Sequence, residues 1–222
     1  MDVIEKIRLY LLNIREILEE PLGDLIYFFS EESRERIKKY RFVSDQNRTA
    51  WAEILLRFLL PDACRRLAIK RTASGKPYLS DSEYQFNLSH SGEWIACTLG
   101  RTASGVDIQQ EEDVLLSVAE KYFLPEEYQE ICALDKAGQR NLFYKFWCIK
   151  ESYLQYRGTG LAGGLRSVNC RELLTGKKSV GCRTFFLPSG YHLSAAGPVP
   201  SLPAEFSLVN MAELRSFAEA IN

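Results

Sequence analysis

Residues 145–161 read KFWCIKESYLQYRGTGL, and this stretch predicts a half-buried helix that ends at its glycines. Apolar residues recur from Leu142 to Leu154 at roughly the 3.6-residue period of an amphipathic helix. Glu151 lies four residues after Trp147 and three before Leu154, so its carboxylate falls at the margin of the buried face. A carboxylate in that position needs a compensating partner, because burial disfavours its ionised form.

A second carboxylate comes from the segment GVDIQ, residues 105–109, which predicts a strand. Side chains alternate along a strand, so Val106 and Ile108 share one face while Asp107 and Gln109 share the other. One face of this strand is therefore apolar, and the other carries a carboxylate beside an amide.

Two interpretations of these carboxylates are open. Taken singly, Asp107 fits a turn network, and Glu151 fits a salt bridge to Lys145, Lys150 or Arg157. Taken together, the two acids suit Mg²⁺. That ion typically uses one or two carboxylates and completes its coordination with water and substrate phosphate oxygens.

Positive charge is concentrated in the first half of the chain. Five of the eight residues from 34 to 41 are Lys or Arg, and Arg48 follows them. Such a run is usually a solvated helix face. The segment from Gly75 to Pro77 is more specific, because glycine permits a turn and proline fixes φ, which holds Lys76 in place. A lysine positioned in this way suits a phosphate.

The segment NLSHSG, residues 87–92, brings Ser89 and His90 together without predicting a nucleophile and its base. Adjacent side chains of a strand point to opposite faces, so His90 is badly placed to activate Ser89. His90 is then either a half-buried structural histidine or a hydrogen-bond donor to an anion. In the second case the backbone N–H groups of the Ser91-Gly92 turn would assist it.

The totals of the chain exclude several function classes. The 222 residues carry a net charge of −1 and only two histidines, so neither nucleic-acid binding nor a zinc site is expected. No apolar run reaches the ~18 residues of a membrane span. The six cysteines form no CxxC pair, which predicts free thiols in a cytoplasmic protein. The acids, the histidine and the scattered cations together predict a pyrophosphate-containing substrate with chemistry at phosphorus.

An α/β (α+β) fold follows from the order of the predicted elements. Each half of the chain carries one long apolar helix and several strands, so two α/β subdomains should meet near residues 100–104, with a site in the cleft between them. The predicted elements are a strand at 6–14, a helical region at 30–60 that becomes apolar from Thr49, a hairpin at 84–100, a helical segment at 111–137 interrupted near Pro125, strands at 167–170, 180–187, 191–196 and 205–210, and a terminal helix at 212–221.

The segments GKPYL, FNLSHSGEW, GVDIQ and FWCIKES, with their spacing, resemble the signature stretches of the Sfp-type 4′-phosphopantetheinyl transferases. The resemblance implies an enzyme that moves the phosphopantetheine arm of coenzyme A onto a serine of an apo acyl or peptidyl carrier protein, releasing 3′,5′-ADP. It also implies a monomer built as a pseudo-two-fold pair of α/β subdomains. Residues 1–103 would contact the nucleotide, and residues 104–222 would hold Mg²⁺ and dock the carrier.

The resemblance also carries residue roles onto matching positions. Asp107 and Glu151 match the magnesium ligands, and Glu127 matches a glutamate that is proposed to assist deprotonation of the serine. The base would be Glu151, or Glu127 acting through water. The positions that match the family's coenzyme A contacts are Arg36, Arg48, Gly75, Lys76, Pro77, Ser89 and His90.

Two positions depart from the family's usual pattern. Gln109 stands in place of a glutamate, and its amide oxygen remains a potential Mg²⁺ ligand without charge. Gln155 stands in place of a lysine. Two other functions stay open on the sequence alone: a non-catalytic carrier-protein or nucleotide binder, and a coenzyme A-dependent acyltransferase that would release free coenzyme A.

Overall fold

The computed structural model of this chain describes residues 6–114, 116–160, 164–187 and 190–221. Helices and strands are mixed along the chain, which confirms the predicted α/β class. The strands are β1 (Arg8–Asn13), β2 (Ile69–Arg71), β3 (Pro77–Leu79), β4 (Gln85–Ser91), β5 (Trp94–Gly100), β6 (Gly105–Gln110), β7 (Val180–Leu187), β8 (Tyr191–Pro198) and β9 (Ser207–Leu208). The helices are α1 (Glu31–Lys38), α2 (Val43–Leu59), α3 (Leu116–Tyr122), α4 (Pro125–Cys132), α5 (Lys136–Arg157), α6 (Cys170–Leu174) and α7 (Met211–Ile221).

Two main sheets organise these elements. The first has the strand order β4-β5-β1-β9, and the second has the order β6-β8-β7, while β2 and β3 form a separate ribbon. Helix α2 packs on the first sheet and α5 on the second. Each main sheet is therefore covered by one long helix, which matches the predicted pair of α/β halves.

Apolar side chains between the two sheets orient the strand that carries Asp107. Val106 and Ile108 of β6 are fully buried against residues of β1 and β5, including Leu11 and Ala96. Because side chains alternate along the strand, Asp107 and its neighbour two residues later turn the other way, toward α5.

The C-terminal segment returns to the first sheet. Strand β9 pairs in parallel with β1, and Leu214 and Ala218 of α7 are buried in the core beneath α2. The division of the chain into subdomains 1–103 and 104–222 stays a prediction. Residues 207–221 depart from it, because they pack with the first half of the chain.

Local capping and turn chemistry decide several boundaries. Ser30 caps α1 by accepting a hydrogen bond from the Ser33 backbone N–H at 3.3 Å. Helix α2 begins at Val43, six residues before the apolar pattern becomes clear at Thr49. The hairpin turns one residue later than predicted, because Ser91 and Trp94 still pair across it. Its first turn residue, Gly92, has a φ of +54°, which a side chain would disfavour.

Two predicted elements are wrong. The strand expected at 167–170 is instead the end of a 3₁₀ turn followed by α6, because the Asn169 side chain accepts from the Glu172 backbone N–H at 3.1 Å and starts a helix there. The helical segment expected from residue 111 begins at Leu116 in the described residues, and Pro125 opens α4 rather than interrupting a helix.

All six cysteines are free thiols, and four of them are buried, as the composition predicts. Among the helices of the described residues, even the 22-residue α5 lacks the apolar length that crossing a bilayer requires.

Candidate functional site

Asp107 lies on β6 with 3 % of its surface exposed. Its Oδ1 accepts a hydrogen bond from Ser89 Oγ at 2.9 Å. The Gln109 amide donates to both carboxylate oxygens, at 3.3 and 3.1 Å. The strand alternation therefore brings Asp107 and Gln109 together on one face, as predicted. The Cys148 thiol of α5 is a further hydrogen-bond partner of the same carboxylate.

The pKa of Asp107 is raised to about 7, chiefly by burial and in addition by the nearby charge of Glu151, while hydrogen bonds from Gln109, Ser89 and Cys148 oppose the rise. Glu151 projects from α5, and its half-buried carboxylate also has a pKa raised by burial. The two acids thus come from different elements and interact through space. Glu151 also borders a cavity of about 260 Å³ between the two halves, lined by Lys76, Asn87, Gln155 and Gly158 among others.

This donor set fits a hard divalent cation. Among the described residues, no three His, Cys, Asp or Glu side chains are grouped as a metal site, so a site here would rest on two carboxylates and an amide. Both acids have raised pKa values, a destabilisation of charge that a bound cation would offset. Asp107, Glu151 and the Gln109 amide oxygen are the oxygen ligands that would hold Mg²⁺.

Lys76 reaches this cavity from the first half of the chain. Its Nζ donates to the carbonyl oxygens of Gln155 at 2.7 Å and Ser104 at 3.2 Å, and burial lowers its pKa. The turn before it is tied down as well, because Ser74 Oγ donates to the Gly158 carbonyl at 2.8 Å. The Gly75-Lys76-Pro77 segment therefore holds the lysine in place, and it does so at the C-terminal end of α5. Gly75 has a φ of +85°, which this turn requires.

Arg48 and His90 lie at the β4–β5 turn. Arg48 Nε donates to the Gly92 carbonyl at 2.7 Å, and its Nη1 pairs with Asp45 at 2.7 Å. His90 is exposed at the surface, yet desolvation by the surrounding protein and the charge of Arg48 lower its pKa. A neutral imidazole beside a guanidinium provides a hydrogen-bond donor and a fixed positive charge at this turn.

Arg36 is anchored in the first half by a buried network. Its Nη2 contacts Glu53 Oε2 at 3.2 Å, and its Nε is buried without a hydrogen-bond partner in the described part of the chain. Burial lowers the pKa of Arg71, which the sequence did not single out, and the nearby charge of Arg36 also lowers it. Arg71 Nη1 also donates to the Gly75 carbonyl at 2.7 Å. Nothing in the RTASG segment distinguishes Arg71 before the fold is known.

Glu127 does not lie at the site, which corrects its predicted role as a base. It is 1 % exposed, and its Oε2 pairs with Lys150 Nζ at 2.7 Å and accepts from the Leu124 backbone N–H at 3.1 Å. Its Oε1 accepts from the Cys170 backbone N–H at 2.9 Å. A carboxylate that is sealed from solvent and bonded through both oxygens cannot reach a serine of another protein.

Lys150, beside Glu151 in sequence, is fully buried and points about 100° away from Glu151 around α5. Its Nζ also donates to the carbonyl oxygens of Leu165, at 3.1 Å, and Val168. The buried ion pair therefore fixes the rotation of α5, which leaves Glu151 facing the cleft.

Comparisons with known proteins identify the family of this chain. Residues 103–202 match the sequence model of the 4′-phosphopantetheinyl transferase superfamily, and residues 19–100 match the model described as 4′-phosphopantetheinyl transferase, N-terminal. The chain is 27% identical over 214 residues to 4′-phosphopantetheinyl transferase Sfp of Bacillus subtilis (strain 168), covering 90% of this chain and 96% of the relative. It is 28% identical over 210 residues to 4′-phosphopantetheinyl transferase ffp of Bacillus subtilis, covering 88% and 94%. It is 30% identical over 164 residues to 4′-phosphopantetheinyl transferase psf-1 of Bacillus pumilus, covering 72% and 69%.

Proposed function

This chain belongs to the 4′-phosphopantetheinyl transferase superfamily, and we propose that it transfers the 4′-phosphopantetheine group of coenzyme A to a serine of an apo acyl or peptidyl carrier protein. The observation that carries the proposal is the convergence of Asp107 of β6 and Glu151 of α5 beside a cavity that Lys76 enters from the other half. Carboxylates and a lysine in one cleft suit a pyrophosphate that is bound together with a divalent cation.

Bound Mg²⁺ would neutralise charge on the pyrophosphate as it develops on the leaving group. Asp107 and Glu151 would hold the ion, and Gln109 would add a neutral oxygen. Lys76, Arg48 and His90 would contact the phosphates. Arg36 and Arg71, which lie near each other in the first half of the chain, would add further positive charge.

Glu151 is the acid we assign to proton removal, directly or through a water molecule. Its carboxylate is half-buried and borders the cavity between the two halves, where the serine hydroxyl would have to enter. In the proposed step the serine oxygen forms a bond to the β-phosphorus of coenzyme A, the P–O bond to the adenosine bisphosphate breaks, and the serine proton passes to Glu151. The products are holo-carrier protein and 3′,5′-ADP.

The experiment is a mass measurement on a panel of apo-carrier proteins incubated with enzyme, coenzyme A and Mg²⁺. We expect a mass gain equal to phosphopantetheine, with 3′,5′-ADP released and the reaction abolished by EDTA. Release of free coenzyme A would indicate acyl transfer instead, and no modified carrier would indicate a non-catalytic relative. The monomeric state and the cytoplasmic location stay predictions.

Site variants make the test specific. Asp107→Ala and Glu151→Ala should each lower kcat at least about 100-fold in a folded protein, because each removes a charged group that acts on the reacting phosphate. Asp113→Ala is the matched control, since Asp113 is an exposed carboxylate just beyond the same strand. Near-normal rates for either site variant at saturating Mg²⁺ would contradict the assignment.

A further inference from the structure

A ladder of side-chain hydrogen bonds joins the two main sheets beside Asp107. Strand β6 is the terminal strand of its sheet, so alternate backbone N–H groups point away from β8. The side chains of β4 accept all three of these bonds: Val106 N donates to Asn87 Oδ1 at 2.7 Å, Ile108 N to Ser89 Oγ at 3.2 Å, and Gln110 N to Ser91 Oγ at 3.0 Å.

The regularity of the ladder indicates a built feature. Donors and acceptors both advance by two residues, and each pair is separated by 19 positions in the sequence. An edge strand that is buried needs partners for its N–H groups. The alternating sequence N-L-S-H-S supplies these partners, because the side chains of Asn87, Ser89 and Ser91 lie on the same face of β4. Ser89 stands opposite the buried Ala96 of β5, so this face is the one turned toward the interior.

Ser89 differs from the other two acceptors. Its hydroxyl accepts the Ile108 N–H and also donates its one proton to Asp107 Oδ1 at 2.9 Å. A hydroxyl has one donor and two acceptor positions, so both bonds form at once. The side chain therefore fixes the backbone that follows Asp107 and the direction of the carboxylate itself.

We propose that Ser89 is a positioning residue that orients Asp107 for metal binding, while Asn87 and Ser91 brace β6 on either side of it. The inference rests on the proposed function, because it takes Asp107 as a ligand of Mg²⁺. It gives Ser89 a different role from the coenzyme A contact that the sequence predicts. Ser89 and His90 therefore have different surroundings, since the His90 side chain points to the opposite face of β4 and lies near Arg48.

The test measures metal binding directly as well as rate. Mn²⁺ binding to the full-length protein with saturating coenzyme A is followed by electron paramagnetic resonance of free Mn²⁺. The variants are Ser89→Ala, Ser89→Thr and Ser91→Ala. Ser91→Ala is the matched control, because it removes an acceptor of a β6 N–H in the same ladder but no bond to Asp107.

We expect Ser89→Ala to weaken Mn²⁺ binding about 10-fold, the range typical of losing a partner that orients a metal ligand, with the KM for coenzyme A unchanged within about twofold. Ser89→Thr keeps the hydroxyl and should restore binding. Ser91→Ala should lower the unfolding midpoint about as much as Ser89→Ala while leaving Mn²⁺ binding unchanged. If Ser89→Ala does not fold, Ser89→Cys replaces it, and the same weakening is expected because a thiol is a poor donor.

Two results would overturn the inference. Equal weakening of Mn²⁺ binding by Ser89→Ala and Ser91→Ala would show a general effect of the ladder, and a raised KM for coenzyme A with normal Mn²⁺ binding would show a substrate contact. Asp107→Ala distinguishes failure of the proposed function. If that variant binds Mn²⁺ normally, the metal site itself is wrong. If it loses Mn²⁺ while Ser89→Ala does not, only the positioning role fails.

Discussion

Asp107 should destabilise the metal-free protein at alkaline pH, and the substitution Asp107→Asn should remove that penalty. The carboxylate is buried beside Glu151, and its pKa is raised from 3.8 to about 7. Between these values the folded protein keeps a proton that the unfolded chain has released. The free energy of unfolding therefore falls as pH rises through this window. Asparagine does not titrate, and it preserves the size of the side chain and its capacity to accept a hydrogen bond from Ser89.

The size of the effect follows from the difference in pKa. At about 1.36 kcal/mol per pH unit, a rise from 3.8 to about 7 corresponds to a penalty of roughly 4 kcal/mol once the group is fully ionised. Roughly 2 kcal/mol of that penalty develops between pH 5 and pH 7. Relaxation around the charge and entry of water will reduce it, so a change of about 1 to 2.5 kcal/mol between pH 5 and pH 8 is expected.

Urea unfolding in EDTA, followed by fluorescence of the three tryptophans, measures this change. The stability of Asp107→Asn relative to the parent protein should increase between pH 5 and pH 8, and excess Mg²⁺ with coenzyme A at pH 8 should reduce the difference. The control Asp113→Asn removes an exposed carboxylate and should show no such increase. A constant difference between Asp107→Asn and the parent protein at all pH values would refute the burial argument.

Three further predictions test other parts of the site. Glu127→Gln should lower the free energy of unfolding by about 3–5 kcal/mol, because it leaves Lys150 buried and unpaired, while kcat per folded molecule should be unchanged. A variant that stays stable but loses its activity would indicate that Glu127 is the base after all. His90→Ala should raise the KM for coenzyme A about 10-fold and the KM for dephospho-coenzyme A less; steady-state kinetics that show equal penalties would mean that His90 does not contact the 3′-phosphate. Gln109→Glu should lower the Mg²⁺ concentration for half-maximal rate and raise the KM for coenzyme A, and adding Gln155→Lys should restore that KM. An unchanged Mg²⁺ requirement in Gln109→Glu, with strictly additive effects of the two substitutions, would show that Gln109 does not face the metal.

Short-range periodicity was sufficient to predict how the side chains at the centre of the proposed site are placed. The alternation of β6 places Asp107 and Gln109 on one face, and the helical spacing of α5 leaves Glu151 at the margin of its buried stripe. Both arguments need only the local repeat of the backbone and the requirement that apolar residues face a core. The Gly75 turn before Lys76 was predictable on similar grounds, because its conformation favours glycine.

Long-range partners were not predictable in this way. The match of Glu127 to a family position predicted a residue that assists deprotonation, but only the packing of α4 against α5 shows that its carboxylate pairs with Lys150 and caps a helix. Residues 167–170 read as a strand because single-residue preferences are weak, and the Asn169 cap overrides them. The ladder from β4 to β6 was also hidden, since Ser89 reads as a polar residue near a turn until the second sheet is placed beside it.

The structure gives a physical account of the two amides that depart from the family's pattern. At position 109 the amide donates to Asp107 and opposes the rise in the pKa of that acid, whereas a glutamate there would add a third negative charge to a buried pair. Unit charges a few ångströms apart interact by about 4 kcal/mol even at an effective dielectric of 20. At position 155 the backbone carbonyl accepts the Lys76 ammonium at 2.7 Å, so a positive charge still stands at this turn of α5 without a lysine side chain there. Removing one charge of each sign therefore leaves the cleft with weaker repulsion between its acids and with a cation held beside the proposed pyrophosphate site.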